Sequence, residues 1–476
     1  MKVIRNYLYN AGYQLLILVV PFVTVPYIAR VLGPSGVGIN SYTNSLVMYF
    51  FLLGALGTSV YGNREIAYHR DNLEERTRIF WEIEILQIIT MMGALVLFII
   101  FIAFQSHYQF YFVLQSIWIV AGIFDISWLF MGMEDFKKTV TRNALVKIAS
   151  LMAIFIFVQA KSDVGKYIFI LGLAQLLGNL TLWPYVRDVV GKPNINFRAV
   201  FSHLRPTVML FIPQIATQVY LQLNKTMLGQ FDSVTASGYY DYADKLVKMI
   251  LAVITATGTV MLPHMSNLAA KGDVKRLNKL LYKSFDFSGV LAIPLMFGLA
   301  AVATGMVPWY YGPKFDIVST LIIIEAPVTV LIGWSNVIGL QYLMPLKRVK
   351  TYTLSVTYGA FTNIIINIPL VLMFGVVGAT IATVISEVVV TFYQLVVVRN
   401  LINYHHLFSE TWKYVVSGLI MFIPVYFMNV SMKVSGISLI VQIAIGAAIY
   451  FGSLWLLNAQ ILRDGCALVK ARRASK

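Results

Sequence analysis

Basic and acidic residues stand inside stretches of this chain that are otherwise apolar. The bases are Arg30, Lys147, Lys225, Lys245 and Lys248; the acids are Asp125, Asp241, Asp244, Glu325 and Glu387. A charge at the centre of a bilayer costs roughly 2.5–3.5 kcal/mol on insertion scales, so such residues line a cavity, pair, or reach for the interface. Cations on a path suit phosphate, and acids suit a coupling proton or cation. Arg30 and Lys225 each precede a Leu-Gly, at Leu32-Gly33 and Leu228-Gly229, and could face a cavity or snorkel outward. Lys147 lies about two turns into its stretch and could equally snorkel inward. Lys245 and Lys248 follow Asp241 and Asp244 by four residues, a helical ion-pair spacing, so pairing competes with substrate contact. Asp125 could cap or anchor the segment after it. Glu325 and Glu387 stand apart from other charges; they could carry a coupling ion or pair with Lys147. Tyr27, Tyr42, Tyr239, Tyr240 and Tyr242 could stack on a sugar, against the alternative of packing or interface anchoring.

No catalytic constellation accompanies them. His69, His107, His203, His264, His405 and His406 fall in loops or at boundaries. There is no G-x-x-x-x-G-K-[ST], no metal-ligand spacing and a single cysteine, Cys466, which excludes an intrachain disulfide. The expectation is no enzyme, no metal and no bound cofactor, with energy drawn from a proton or cation gradient, the membrane potential or downstream polymer withdrawal.

The elements that position these residues are membrane spans. The chain is 58% hydrophobic and 12% charged, with a mean hydropathy of +0.74; a soluble domain is nearer 45–50% apolar and about 25% charged. About fourteen spans are legible, each near the ~20 residues a bilayer requires. They cover residues 12–32, 40–62, 80–104, 108–131, 140–159, 167–186 and 207–228, then 239–262, 285–306, 317–343, 351–374, 376–398, 414–430 and 437–458. The first reads as a retained anchor, since no small-residue cleavage site follows it. Pro21 and Pro26 inside it open backbone groups that only protein or a water-filled cavity can satisfy.

The formal charge of +16 is not a nucleic-acid footprint, because the bases lie in short loops. One side carries nearly all of them; the other holds Lys161, Lys166, Lys314 and Lys433. That asymmetry predicts both termini in the cytoplasm and contact with anionic membrane lipid. Residues 271–283 carry bases at helical spacing around Leu277, Leu280 and Leu281, which fits a helix on the inner membrane surface or a solvated connector.

An internal repeat fixes the plan. Leu32-Gly33 aligns with Leu228-Gly229, Gly38 with Gly238, and Asn40-Ser-Tyr42 with Tyr240-Asp-Tyr242. In the second copy Ile212-Pro213 stands for the prolines of the first. The offset of about 200 residues contains an even number of spans, so the copies enter the membrane in the same direction. The expected architecture is an all-α polytopic protein: a six-helix lobe over 1–200, a parallel six-helix lobe over 201–400, and two added helices with a basic tail over 401–476.

Three stretches carry a resemblance: Pro26-Tyr-Ile-Ala-Arg-Val-Leu-Gly-Pro34, Asp125-Ile-Ser-Trp128 through Gly132-Met-Glu134 to Asn143, and Gly238-Tyr-Tyr-Asp241-Tyr-Ala-Asp244-Lys245. Together they resemble the bacterial flippases for lipid-linked polysaccharide repeat units, of the multidrug/oligosaccharidyl-lipid/polysaccharide exporter superfamily. The resemblance spans about 6–399; the last two spans fit by position only. It implies two lobes opening alternately to either side of a bacterial cytoplasmic membrane. The implied cargo is an oligosaccharide on undecaprenyl diphosphate, for O-antigen, capsule or exopolysaccharide assembly, with a polymerase and chain-length regulator downstream. The alternative is an ion-coupled multidrug exporter of the same superfamily; cations in the path argue against it.

Overall fold

A computed structural model describes residues 2–193 and 196–463, except the side chains at 2–19, 136–137, 212–214, 216–217, 220, 257 and 259–260. Among the described residues the chain is helical, without strands. It divides into two compact units, Met1–Gly238 and Tyr239–Lys476.

The first unit begins with α1 (Lys2–Ala55) and α2 (Thr58–His69), then α3 (Leu73–Ala103), α4 (Gln109–Ile123) and α5 (Ser127–Gly132). It continues with α6 (Phe136–Phe157), α7 (Val164–Leu180), α8 (Phe197–Ser202) and α9 (Leu204–Phe231). At 1.5 Å per residue α1 would run about 80 Å, well over the ~30 Å of hydrocarbon, so it must turn back. It does so at Gly33, whose φ of 69° favours glycine. Tyr27, before the break, donates from its hydroxyl to Val158 O, and Gly36, after it, lies against Val164. Both legs therefore start from the α6–α7 connection. The second leg descends beside α4, from Tyr42 against Phe112 to Phe51 against Gly122. Tyr42, Val47, Met91, Ala94, Phe98, Phe112 and Ile119 close this core. Side chains at Ile212 and Pro213, the second proline step of the repeat, lie outside the described residues.

The second unit is built from α10 (Val234–Ala270, entering it at Tyr239), α11 (Val274–Tyr310), α12 (Asp316–Glu325), α13 (Val328–Ser335) and a π-helix (Asn336–Leu343). It ends with α14 (Val349–Val398), α15 (Tyr404–Leu407), α16 (Thr411–Ser431) and α17 (Gly436–Leu456). The α14 helix folds back at Gly375, φ 54°. Gly378 lies against Leu370 and Gly359 against Val390, pairs centred on that glycine, as an antiparallel hairpin demands. Nine described helices are long and apolar enough to cross a membrane, or eleven if each bent pair is one span. With α1 and α14 each folded back on a glycine, this is consistent with about fourteen crossings.

The basic segment 271–283 is not a separate surface helix. From Val274 it is the head of α11, which runs unbroken to Tyr310. Leu277 and Leu281 are buried with Met265, Phe285, Val337 and Tyr342. Their spacing serves a protein partner rather than the membrane surface.

Candidate functional site

In the second unit the helical spacing on α10 forms the ion pairs the sequence allows. Lys245 pairs with Asp241 and stands over the Tyr242 ring, 5.5 Å from its centroid. Lys248 lies 2.8 Å from Asp244. Two acids distant in sequence join this second pair. Glu325 closes α12 where Ala326-Pro327 starts the bend into α13, and it is 1% exposed. Glu387, 8% exposed, lies along the second leg of α14. Both act on Lys248, and Glu325 is within hydrogen-bond reach of Asp244. The Tyr240 hydroxyl, 2.9 Å from Thr383 Oγ1, ties α10 to α14 one turn from Glu387. Three helices thus bring three carboxyls around one ammonium. A set of this kind can take up a proton or a cation.

In the first unit Lys147 sits on the inward stripe of α6, a heptad after buried Val140 and a heptad before buried Ile154. It is half-buried, and among the described residues its ammonium has no hydrogen-bond or ion-pair partner. Arg30 is exposed on α1, three residues before Gly33. Lys225 is half-buried on α9 beside Thr226, whose hydroxyl lies 2.9 Å from Ser45 Oγ.

The tyrosines separate by burial. Tyr42, Tyr240 and Tyr242 are 6%, 4% and 3% exposed. Their rings meet protein: Tyr42 on Phe112, and Tyr242 stacked on Phe315. The sugar-contact expectation therefore finds only Tyr27 and Tyr239 part-exposed, and each already donates to a carbonyl, of Val158 and Lys314.

Asp125 sits where one span breaks into α4 and α5, and its Oδ1 accepts from Ser127 N at 3.0 Å, an Asx turn that anchors the segment after it. Four carbonyls at that break accept from side chains. Asn179 Nδ2 donates to Ala121 O, Trp183 Nε1 to Phe124 O, and Gln87 Nε2 to both Gly122 O and Asp125 O. Beyond α5, Glu134 turns the chain at φ 57° and pairs with Arg70 at 2.8 Å, while Lys138 stands over the Phe130 and Tyr185 rings. The second resemblance stretch is thus a built elbow.

Sequence reasoning passed over two groups on α3. Glu82 accepts from His203 Nε2 at 2.8 Å, and His203 Nδ1 meets the Tyr61 hydroxyl at 2.8 Å. Glu84 is fully buried with both carboxyl oxygens unpartnered. The available signal was two acids within the first turns of an apolar run, Phe80-Trp-Glu82-Ile-Glu84.

Known proteins share this fold. A lipid II flippase MurJ, solved in an inward closed conformation, superposes with a TM-score of 0.76 at 17% identity, covering 96% of this chain and all of that one. An inward-facing multidrug resistance transporter of the MATE family gives 0.57 at 10% identity, over 80% and 97%. These likenesses show the fold. In sequence, the "Putative O-antigen transporter" of Escherichia coli (strain K12) is 25% identical over 83% of this chain and 96% of its own length. The "Probable low-salt glycan biosynthesis flippase Agl15" of Haloferax volcanii is 24% identical over 67% and 66%. The family described as lipid II flippase MurJ matches residues 143–446, and the family described as polysaccharide biosynthesis protein matches residues 3–269. The chain is a multi-pass membrane protein that belongs to the polysaccharide biosynthesis family, among the flippases of the multidrug/oligosaccharidyl-lipid/polysaccharide exporter superfamily.

Proposed function

We propose that the chain carries a lipid-linked oligosaccharide, joined through undecaprenyl diphosphate, from the cytoplasmic to the outer leaflet of a bacterial cytoplasmic membrane. The observation that carries this reading is the overlap of two family matches, polysaccharide biosynthesis over 3–269 and lipid II flippase over 143–446. Relatives named as an O-antigen transporter and a glycan biosynthesis flippase support it. It is a carrier with no chemical step of its own. Two six-helix lobes, about 1–200 and 201–400, alternate access, with the helices of 401–476 added and both termini cytoplasmic. A polymerase and a chain-length regulator take the product onward.

Lys147 supports the cargo assignment, being a half-buried cation whose ammonium no described residue neutralises. Diphosphate supplies that charge, and Arg30 and Lys225 add contacts, the arginine able to bind in bidentate fashion. Tyr27 and Tyr239 are the tyrosines open to sugar. Coupling belongs to Asp244, Glu325 and Glu387 around Lys248.

The test is reconstitution of the full chain in vesicles loaded with a polyprenyl-diphosphate-linked oligosaccharide. The expected result is protein-dependent exposure of the glycan to a membrane-impermeant glycosidase. In cells, deletion should abolish surface polysaccharide and accumulate lipid-linked units. Unchanged surface polysaccharide with loss of cationic-drug efflux would favour the multidrug reading instead.

A further inference from the structure

Among the described residues of the first unit, Glu84 is a carboxyl with no provision for its charge: it is 0% exposed on α3, and neither carboxyl oxygen has a hydrogen-bond partner there. The charged group that acts on it is Asp125, at the break between α4 and α5. The other titratable groups packed around α3 face elsewhere. Tyr61 of α2 and His203 at the head of α9 meet at the imidazole that holds Glu82, and Arg78 is 4.0 Å from Glu82 as well. From α1 and α4, Phe51 and Gly122 bring apolar surface to Met91 on the same helix.

The broken span adds a second, independent observation. The C-terminal end of α4 carries partial negative charge, and its carbonyls are gathered by Gln87, one turn beyond Glu84, and by Asn179 and Trp183. A carboxylate at Glu84 would be stripped of water, unpaired, and set beside a second acid and the negative end of a helix. The same group carrying a proton is neutral and meets none of these costs.

We propose that Glu84 is a proton-binding site of the first unit, separate from the charge cluster of the second; proton binding stands apart from the carrier reading, and its link to transport rests on that reading. Its ligand is a proton, bound at the carboxyl beside the α4–α5 break. Release breaks the carboxyl O–H bond and passes the proton to water at the polar seam of that break, leaving the carboxylate.

Infrared difference spectroscopy of the full chain in lipid vesicles reads the site without any transport. At neutral pH the wild type should show a protonated-carboxyl stretching band that is lost in Glu84→Gln. Glu84→Asp should keep a band at shifted frequency, and Asp125→Asn should move the band without removing it. Identical protonated-carboxyl absorption in wild type and Glu84→Gln would mean that Glu84 is ionised and would overturn the proposal. Loss of the wild-type band on adding sodium or potassium would make it a metal-cation site and would overturn it too. In transporting vesicles Glu84→Gln should lose the response of rate to an imposed pH difference. A response equal to the wild type's would make the proton a fixed structural one and would also sink the proposal.

Discussion

Glu325, the last residue of α12, stands within hydrogen-bond reach of Asp244 on α10. Two carboxyls that close hold a proton between them or a cation in its place. Lys248, 2.8 Å from Asp244, balances one negative charge. Glu325→Gln keeps the shape and can donate the same hydrogen bond. It should insert normally and melt within a few degrees of the wild type, while losing the response of transport to an imposed proton or sodium gradient. Lys248→Met removes the base and leaves the acids; it should lower the melting temperature more than Glu325→Gln does. Unaltered gradient response in Glu325→Gln, Glu387→Gln and the double variant would remove these acids from coupling.

The cations of the first unit separate by charge chemistry. Lys147→Gln should reduce flipping by about tenfold or more, equivalent to about 1.4 kcal/mol, and Lys147→Arg by less. Arg30→Lys should retain more activity than Arg30→Ala, and Lys225→Arg more than Lys225→Ala, because a phosphate contact survives in each. Glycan export at wild-type level from a well-expressed Arg30→Gln/Lys225→Gln variant would reduce both residues to snorkelling groups.

Gly38 and Gly238, equivalent positions of the repeat, touch within the first unit. A Cβ on Gly38 would lie 1.9 Å from the Val234 carbonyl oxygen, and one on Gly238 would lie 2.7 Å from Gly38 N. Backbone cannot yield as a side chain can, so Gly38→Ala should cost about 3 kcal/mol, the upper end of ordinary overpacking. Gly93→Ala is the control, since a Cβ there meets nothing within 4 Å. It should be neutral or stabilise α3 by up to about 1 kcal/mol. Thermal unfolding in detergent distinguishes the two.

Orientation is read by thiol labelling. Cysteines at exposed Ser35, Ser162 and Lys314 should react with an impermeant reagent added outside intact cells, whereas ones at exposed Lys275 and Lys347 should react only after permeabilisation. The reverse pattern would invert the membrane topology.

What could be seen in the sequence was set by short range. Hydropathy places the spans, Gly33 and Gly375 mark reversals, and spacing offers the pairing of Lys245 with Asp241 and Lys248 with Asp244 beside substrate contact. Glu325 and Glu387 looked isolated because their neighbour Lys248 lies on another helix, and no local rule joins positions so far apart. Leu277 and Leu281 misled for a different reason: one amphipathic spacing serves a membrane surface and a partner helix equally. Glu84 was lost with Glu82 inside a long apolar run, where two acids barely disturb the average.

The broken span between α4 and α5 also constrains how the protein is made. Its carbonyls at Gly122 and Asp125 are taken by Gln87, which is synthesised before them, and Ala121 O accepts locally from Phe124 N at 3.2 Å, but Phe124 O waits for Trp183. Until Trp183 emerges from the ribosome, the elbow holds a carbonyl without its donor, at a cost of several kcal/mol in lipid. The nascent segment 109–132 is therefore favoured beside the insertion machinery, or in water, until the turn after α7 brings Trp183 to it.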